Sequence, residues 1–463
     1  MKSALKLLFL SLPVVFFLNC APEAEKKVGT STFQVPVEYY RLDNGLKVIL
    51  SQDHTSPTAI VAVYYNIGFR IEPKDRTGFA HLFEHMMFQG SGNLGKMEFV
   101  KLVQQNGGLL NGSTRFDFTN YFEIIPSHKL ETMLWAEADR MRGLDISQDN
   151  LTNQQGVVKN EVKVNVLNQP YGGFPWLDMP QYANTNWYNA HNFYGDLEDL
   201  DAASLEDVSS FFNTYYSPNN AALAIVGDFE IEEAKAWIQK YFSNIPAAAL
   251  PEQPDISEPK QLEEKEFVKN DSLANKPAIA LAYHMPDRNT REYYAMGLLD
   301  QILVQGDNSL LVQKLVKDKG YTSGVNGGIN YLGNMFNYKG PMLWMYNLTY
   351  DKETSKTDIL TAVDEVMADL KSSVSQEMID RAIVKIRSKL YDDIGGTYGL
   401  GRADLLCSFA LFDDNPGRIN TLEEEFRGIT PELMRTTIDE YLRTSNRTIL
   451  EVNPLLAENE KIN

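Results

Sequence analysis

The strongest constraint on the fold is that two parts of the chain repeat the same succession of sequence patterns. Each part begins with the apolar alternation of strands, continues with two helix-like segments, and returns to strands and further helices. Gln89-Gly90 aligns with Gln305-Gly306 at the end of the first helix-like segment of each part. The repetition predicts two α+β units of similar construction joined in one chain.

The composition divides the 463-residue chain further. An apolar leader opens it, and a stretch from Pro246 is rich in Pro, Glu and Ala, as linkers are. The length suits two domains, because single cores rarely grow beyond about 250–300 residues. We expect a signal peptide over 1–20, a tether over 21–36, a first domain over 37–245, a linker over 246–264, and a second domain over 265–458.

The leader has the pattern of a secretory signal. Lys2 and Lys6 precede an apolar run over 7–18 that is short for a membrane span. The run ends at Cys20, so the leader resembles a bacterial lipoprotein signal whose cysteine is lipidated after cleavage. Asn19 departs from the small residue usual at that position. A signal cleaved nearby, or a permanent N-terminal anchor, is the alternative.

Composition and the leader indicate which binding partners and which cellular location suit the chain. The formal net charge is −19, which argues against nucleic acid as a partner. A 43% hydrophobic content is typical of a packed protein. The chain has two cysteines, and Cys407 lies in an apolar helical context that predicts a buried thiol. With the leader, these features predict a lipid-anchored protein of the bacterial cell envelope that faces the periplasm or the exterior.

The stretch FAHLFEHMMFQGS carries two of the six histidines of the chain, His81 and His85, with Glu84 between them. Residues four apart share one face of a helix, so both imidazoles can reach one ion. Neutral imidazoles suit zinc, and a nearby carboxylate can take a proton from water. Histidines that cap the core or face solvent are the alternative interpretation.

The second copy of the repeat lacks this triplet. The alignment pairs Leu82 with Leu298, His81 with Gly297, Glu84 with Asp300, and His85 with Gln301. The apolar position is kept while the histidines are not. Packing therefore does not require the histidines, and this favours a chemical role for them.

A catalytic zinc site takes three protein ligands, so a third residue must come from elsewhere in the chain. Glu161 is the candidate, because it interrupts the apolar side of a helix marked by Val157, Val158, Val162 and Val166. When Ser147 is aligned with Ser375, Lys389 occupies the equivalent position, so the acid is also missing from the second copy. Taken alone, Glu161 would be interpreted as a solvated helix charge.

HLFEH followed by Glu161 resembles the inverzincin zinc metallopeptidases of the M16 family, which includes pitrilysin, insulin-degrading enzyme and the mitochondrial processing peptidase, in a two-domain bacterial form. The segments DNGLKVIL, GGLLNGSTRFDFTNYF and YYSPNNAALAIVGDF share the resemblance, which covers about residues 35–455. It implies two homologous α/β-sandwich domains, each with a mixed, mostly antiparallel sheet packed with helices, that form one half of a clamshell chamber.

The same resemblance implies roles for individual residues. One Zn²⁺ per chain would be held by His81, His85 and Glu161 in the first domain, with Glu84 as the general base. The resemblance further implies a substrate strand. Asn111 would hold the peptide backbone near the metal, and the peptide would lie along the three residues that follow, Gly112, Ser113 and Thr114. Without the resemblance, Asn111-Gly112 is typical of a simple turn.

The chain departs from the family pattern at two places. Gln154 stands where many relatives have a second acid, two helical turns before the metal-binding Glu. Val316 and Ser323 stand where active family members have an Arg and a Tyr that act from the opposite half, and Tyr321 lies two residues early. This predicts a heterodimer with a related chain that supplies the Arg/Tyr pair. A homodimer is the alternative.

The predicted function is zinc metalloendopeptidase activity on peptides or unfolded segments within a closed chamber, with this chain as the metal-bearing half. The alternative is a non-catalytic, peptidase-like lipoprotein that acts in binding or scaffolding. The missing Arg/Tyr pair and Gln154 favour the alternative, whereas the complete set of His81, Glu84, His85 and Glu161 favours the enzyme.

Overall fold

A computed structural model describes residues 34–396 and 399–455. The signal peptide over 1–20, Cys20 and most of the tether over 21–36 lie outside the described residues. The strands are β1 (Glu38–Arg41), β2 (Lys47–Gln52), β3 (Thr58–Tyr65), β4 (Leu109–Thr114), β5 (Thr119–Pro126), β6 (Ala221–Gly227), β7 (Lys265–Asp271), β8 (Ala278–His284), β9 (Asn326–Ile329), β10 (Leu343–Thr349) and β11 (Arg447–Pro454).

Helices occupy the connections between these strands and follow the apolar periodicity of the sequence. They are α1 (Phe79–Met86), α2 (Glu98–Gln105), α3 (Leu130–Arg142), α4 (Gln148–Val162), α5 (Asp178–Ala183), α6 (Trp187–Ala190), α7 (Leu197–Ala202), α8 (Leu205–Tyr215), α9 (Ile231–Phe242), α10 (Arg291–Leu303), α11 (Leu310–Val312), α12 (Lys356–Ser373), α13 (Gln376–Gly395), α14 (Leu400–Asp413), α15 (Leu422–Arg427) and α16 (Pro431–Tyr441). A π-helical turn, Lys163–Leu167, extends α4.

The two sheets have the same topology. The first has the strand order β1-β2-β6-β3-β5-β4, and the second has the order β7-β11-β8-β10-β9. In each sheet one pair is parallel, β2 with β6 and β7 with β11, and the others are antiparallel. The second sheet thus repeats the first without β1. The prediction of two homologous domains with mixed, mostly antiparallel sheets is confirmed.

Helix starts repeat as well as strands. Ser147 caps the first turn of α4 by accepting a hydrogen bond from Asn150 N, and Ser375 caps α13 in the same way through Met378 N. Between the two sheets, the described residues 246–264 form neither helix nor strand. The exact domain boundaries stay a prediction.

The central strands β3 and β6 of the first sheet are buried on both faces, and they are accordingly apolar at nearly every position. In β3, the even-numbered residues from Ile60 to Tyr64 face a core shared with α14, in which Cys407 is fully buried as predicted. The odd-numbered residues from Val61 to Tyr65 face a second core beneath α1, α3, α8 and α9. This second core fixes the helix that carries the two histidines. Within the described part of the chain, no helix is both long and apolar enough to cross a membrane.

A buried ion pair in the first half of the fold is hydrogen-bonded to the second half. Arg70 Nε donates to Asp117 Oδ1 at 2.7 Å, and the other carboxylate oxygen accepts from the backbone N–H of Lys339 at 2.7 Å. Arg70 is fully buried, so loss of either charge would leave its partner desolvated. The pair holds the loop before α1 against a loop of the second domain.

The second copy retains an acid where the first has Glu84. Asp300, on α10, is buried and accepts hydrogen bonds from Trp344 Nε1 at 2.9 Å and Gln305 Nε2 at 3.3 Å. Burial raises the pKa of Asp300 to about 6, and these two donors offset only part of that effect. No histidine stands near it in α10, because the equivalent positions are Gly297 and Gln301.

Substitution of Asp300 by Asn should stabilise the protein in a pH-dependent way. The folded state favours the neutral carboxyl, so its contribution to stability is present below about pH 4 and is lost as the pH rises through about 6. The difference in unfolding free energy between Asp300→Asn and the wild type should be about 2 kcal/mol larger near pH 8 than near pH 4.5. Urea unfolding at both pH values measures it. An equal difference at the two pH values would contradict a raised pKa for Asp300.

Candidate metal centre

Helix α1 begins without a capping side chain of its own. Gly78 precedes it with φ +81°, a conformation that favours glycine. The fully buried carboxylate of Glu72 replaces the cap by accepting hydrogen bonds from Gly78 N at 2.9 Å and Ala80 N at 2.5 Å. The first turn of the helix is therefore fixed by a residue six positions upstream.

The apolar residues of α1 anchor it to the sheet, and its polar residues line the opposite side. Leu82, Phe83 and Met86 are fully buried against the second core. His81 is also buried, whereas His85 and Glu84 are half-buried, with side chains about one-fifth exposed. The helix thus presents three polar groups at the edge of an apolar core.

Glu161 on α4 meets both histidines. Its Oε2 lies 3.4 Å from His81 Nε2 and 3.3 Å from His85 Nε2. Ligands about 2.0–2.1 Å from a tetrahedral zinc ion lie about 3.3 Å apart. These two separations match those between zinc ligands, and His81, His85 and Glu161 form the group of possible metal ligands found among the described residues.

The surroundings of His81 also indicate a metal site. Both of its ring nitrogens are buried and have no hydrogen-bond partner among the described residues. A buried, unpaired polar atom is costly, and a metal ion is one means of satisfying it. Two imidazoles and a carboxylate with one open position form a donor set that suits zinc.

Charge is concentrated at this centre. Burial alone would lower the pKa of His81, but Glu161 and Glu84 raise it to about 9. The adjacent imidazoles of His81 and His85 hold the pKa of the Glu161 carboxyl well below its usual range. Burial would raise the pKa of Glu84, but His81 and Thr114 lower it overall. Both acids are therefore ionised, and their negative charge favours a proton on His81, which a bound metal ion would replace.

Glu84 contacts the edge strand of the first sheet. Thr114 Oγ1, on β4, donates to Glu84 Oε2 at 2.8 Å, and that same oxygen lies 3.5 Å from His81 Nδ1. A Cβ at Gly112 would lie 3.3 Å from Glu84 Cγ, so glycine allows the close approach of strand and helix. β4 pairs only with β5 among the described strands.

The other residues predicted to contact substrate also lie on β4. Asn111 is exposed, and its Oδ1 accepts from Gly112 N at 2.9 Å. Ser113 lies on the opposite face of the strand and donates to Asn120 Oδ1 at 2.5 Å, beside a cavity between the two domains. The structure thus brings Gly112 and Thr114 to Glu84, and it places Asn111 and Ser113 on the other side of the same strand.

The structure corrects or completes the description of several residues singled out in the sequence. Val157, assigned to the apolar side of its helix, is 40% exposed, whereas Val158 and Val162 are buried as expected. Gln154 is buried, and its amide donates to Asn153 Oδ1 at 2.8 Å. Tyr321 is partly buried against the core that the first sheet shares with α14.

Two residues contact the metal centre in the structure but are not predicted from the sequence. Tyr194 Oη donates to Glu161 Oε1 at 3.3 Å, and the ring of Phe193 lies 5.1 Å from that of His81. Both residues belong to the segment HNFYGD, more than a hundred positions after α1. Nothing in this segment has the spacing of a metal motif, so only the path of the chain reveals its proximity.

Comparison with known proteins identifies the family. The sequence model described as insulinase, peptidase family M16, matches residues 47–186, and the model described as the peptidase M16 inactive domain matches residues 202–385. The zinc protease PqqE of Helicobacter pylori is 30% identical over 428 residues, which cover 90% of this chain and 93% of that protein. The chain belongs to the M16 peptidase family.

Solved structures show the same fold. A protease from Helicobacter pylori superposes with a TM-score of 0.83 at 22% identity, over 91% of this chain and 100% of the other. The periplasmic protease PqqL of Escherichia coli superposes with a TM-score of 0.73 at 17% identity, over 92% of this chain but only 48% of the other. This M16 chain thus has the size of one half of PqqL.

Proposed function

We propose that the chain is a zinc metalloendopeptidase that hydrolyses peptides or unfolded segments. The convergence of His81 Nε2, His85 Nε2 and Glu161 Oε2 beside an edge strand carries the proposal. Zinc held by these three residues would lower the pKa of a water molecule and polarise the carbonyl of the scissile bond.

The residues of this chain would bind the peptide and move the proton. A substrate backbone would pair with β4, whose outer edge carries no partner among the described strands, and Asn111 would hold the backbone there. Thr114 engages Glu84 Oε2, so Oε1 is the oxygen that would accept a proton from water and return it to the leaving amine. The lowered pKa of Glu84 keeps this carboxylate ionised, so that it can accept a proton.

Separate substitutions should divide metal binding from hydrolysis. Glu84→Gln keeps the three ligands and removes the base, so zinc should remain at one ion per chain while peptide hydrolysis falls by at least about 1000-fold. His85→Gln removes a ligand and should weaken zinc binding by more than about 100-fold, since even a supporting residue is worth about 10–100-fold.

Metal analysis after dialysis and cleavage of a fluorogenic peptide measure the two effects. Exposed residues provide matched controls: Glu98→Gln on the neighbouring helix and His128→Gln outside the site should change neither quantity. Unchanged hydrolysis in Glu84→Gln would refute the assignment of the base. A wild-type chain that binds no zinc would refute the metal site.

We also propose that the chain is the metal-bearing half of a heterodimer. Its length relative to PqqL supports this arrangement, and Val316 and Ser323 occupy the positions where the family resemblance expects an Arg and a Tyr. Two copies of this chain would lack that pair, which stabilises negative charge on the substrate carbonyl. A chain of the same family that carries the pair would complete the chamber.

A tagged chain purified from its native host tests this assembly. It should co-purify with a second M16 chain that contains the Arg/Tyr pair, and peptidase activity should rise by about 100-fold or more when the two are mixed. Full activity of the homodimer would contradict the heterodimer. A complete pair that binds zinc but hydrolyses no peptide would support the non-catalytic, scaffolding alternative.

We propose, from the leader sequence, that Cys20 carries a lipid that anchors the protein to a membrane of the bacterial cell envelope. Cleavage before Cys20 would expose the cysteine as the first residue of the mature chain. Mass spectrometry of the mature N-terminus should find a diacylated or triacylated cysteine. An unmodified terminus at another residue would exclude lipidation.

A further inference from the structure

Tyr194 contacts the carboxylate of Glu161 through a different oxygen from the one that faces the histidines. Its Oη donates to Oε1 at 3.3 Å, while Oε2 faces the Nε2 atoms of His81 and His85. The two oxygens of one carboxylate thus have different partners. Oε1 is engaged by the phenol, and only Oε2 is directed at the metal centre.

The backbone around Tyr194 is fixed to the start of α1. Asp196 N donates to Thr77 Oγ1 at 2.7 Å, and Thr77 Oγ1 donates to Asp199 Oδ2 at 2.6 Å. Gly195 has φ +70°, and a Cβ there would lie 2.2 Å from Gly78 N, so the two segments pass in direct contact. The phenol is therefore positioned relative to the helix that carries His81 and His85.

Packing restricts the ring of Tyr194 as well. The ring stands edge-on to His81, with centroids 5.1 Å apart and an interplanar angle of 89°, and its other neighbours include Trp176. The residue is 5% exposed. A tyrosine phenol keeps its proton at neutral pH, so Tyr194 remains a donor to Glu161.

We propose that Tyr194 is a positioning residue for the metal site. It holds Glu161, which belongs to α4, in register with the two ligands of α1, and it restricts the carboxylate to coordination through Oε2. A ligand that is already oriented loses less conformational freedom when the ion binds, and such supporting hydrogen bonds are worth about 10–100-fold in metal affinity. The inference rests on the proposed zinc site.

Tyr194→Phe tests the role because it removes the hydroxyl and keeps the ring. Zinc affinity, measured by competition with a chromophoric chelator on the purified full chain, should fall by about 10-fold. Tyr350→Phe is the matched control: Tyr350 is 4% exposed and donates to Glu451 Oε1 at 2.9 Å, in the second domain. Its removal should leave zinc affinity unchanged.

A second background separates positioning from a general effect on the fold. In Glu161→Ala, the phenol has no carboxylate to orient, so adding Tyr194→Phe should change the residual affinity by less than about 2-fold. Unchanged affinity in the single variant, or an equal loss in both backgrounds, would overturn the proposal. Absence of zinc binding in the wild type would instead refute the metal site itself.

Discussion

The site depends on one electrostatic constraint: two imidazoles and two carboxylates converge at the edge of an apolar core. His81 is buried with neither ring nitrogen hydrogen-bonded among the described residues, and Glu161 and Glu84 both favour their charged forms. Such a group is costly without a balancing cation. The surrounding structure, from the Glu72 cap to the apolar face of α1, holds these groups together.

Because the fold is present in two copies, the unfavourable cluster of imidazoles and carboxylates is confined to one domain. Apart from β1, which has no equivalent in the second sheet, both sheets have the same order and pairing of strands, so the scaffold is built twice. In the second copy Asp300 remains opposite a glycine-rich edge strand, but the imidazoles are absent and the acid instead accepts hydrogen bonds from Trp344 and Gln305. The first domain keeps the cluster of imidazoles and carboxylates, and the second keeps only the fold, which agrees with the inactive-domain model matched over residues 202–385.

Much of this could be predicted from the sequence, because it depends on local periodicity. The four-residue spacing of His81 and His85 fixes their common face, and the loss of both from the repeat separates chemistry from packing. Ser147 and Ser375, aligned as equivalents, indeed cap equivalent helices. The contacts of Tyr194 and Glu72 could not be predicted, because they depend on how distant segments pass the start of α1, and no local pattern encodes that path.

The assignment of the centre rests on a metal ion bound by residues of two helices. Anomalous diffraction at the zinc edge, from crystals of the protein purified without added chelator, tests it most directly. We expect one peak per chain about 2.0–2.2 Å from His81 Nε2, His85 Nε2 and Glu161 Oε2. A peak bound by other residues, or a hydrogen-bonded site without metal at full zinc supply, would contradict the account.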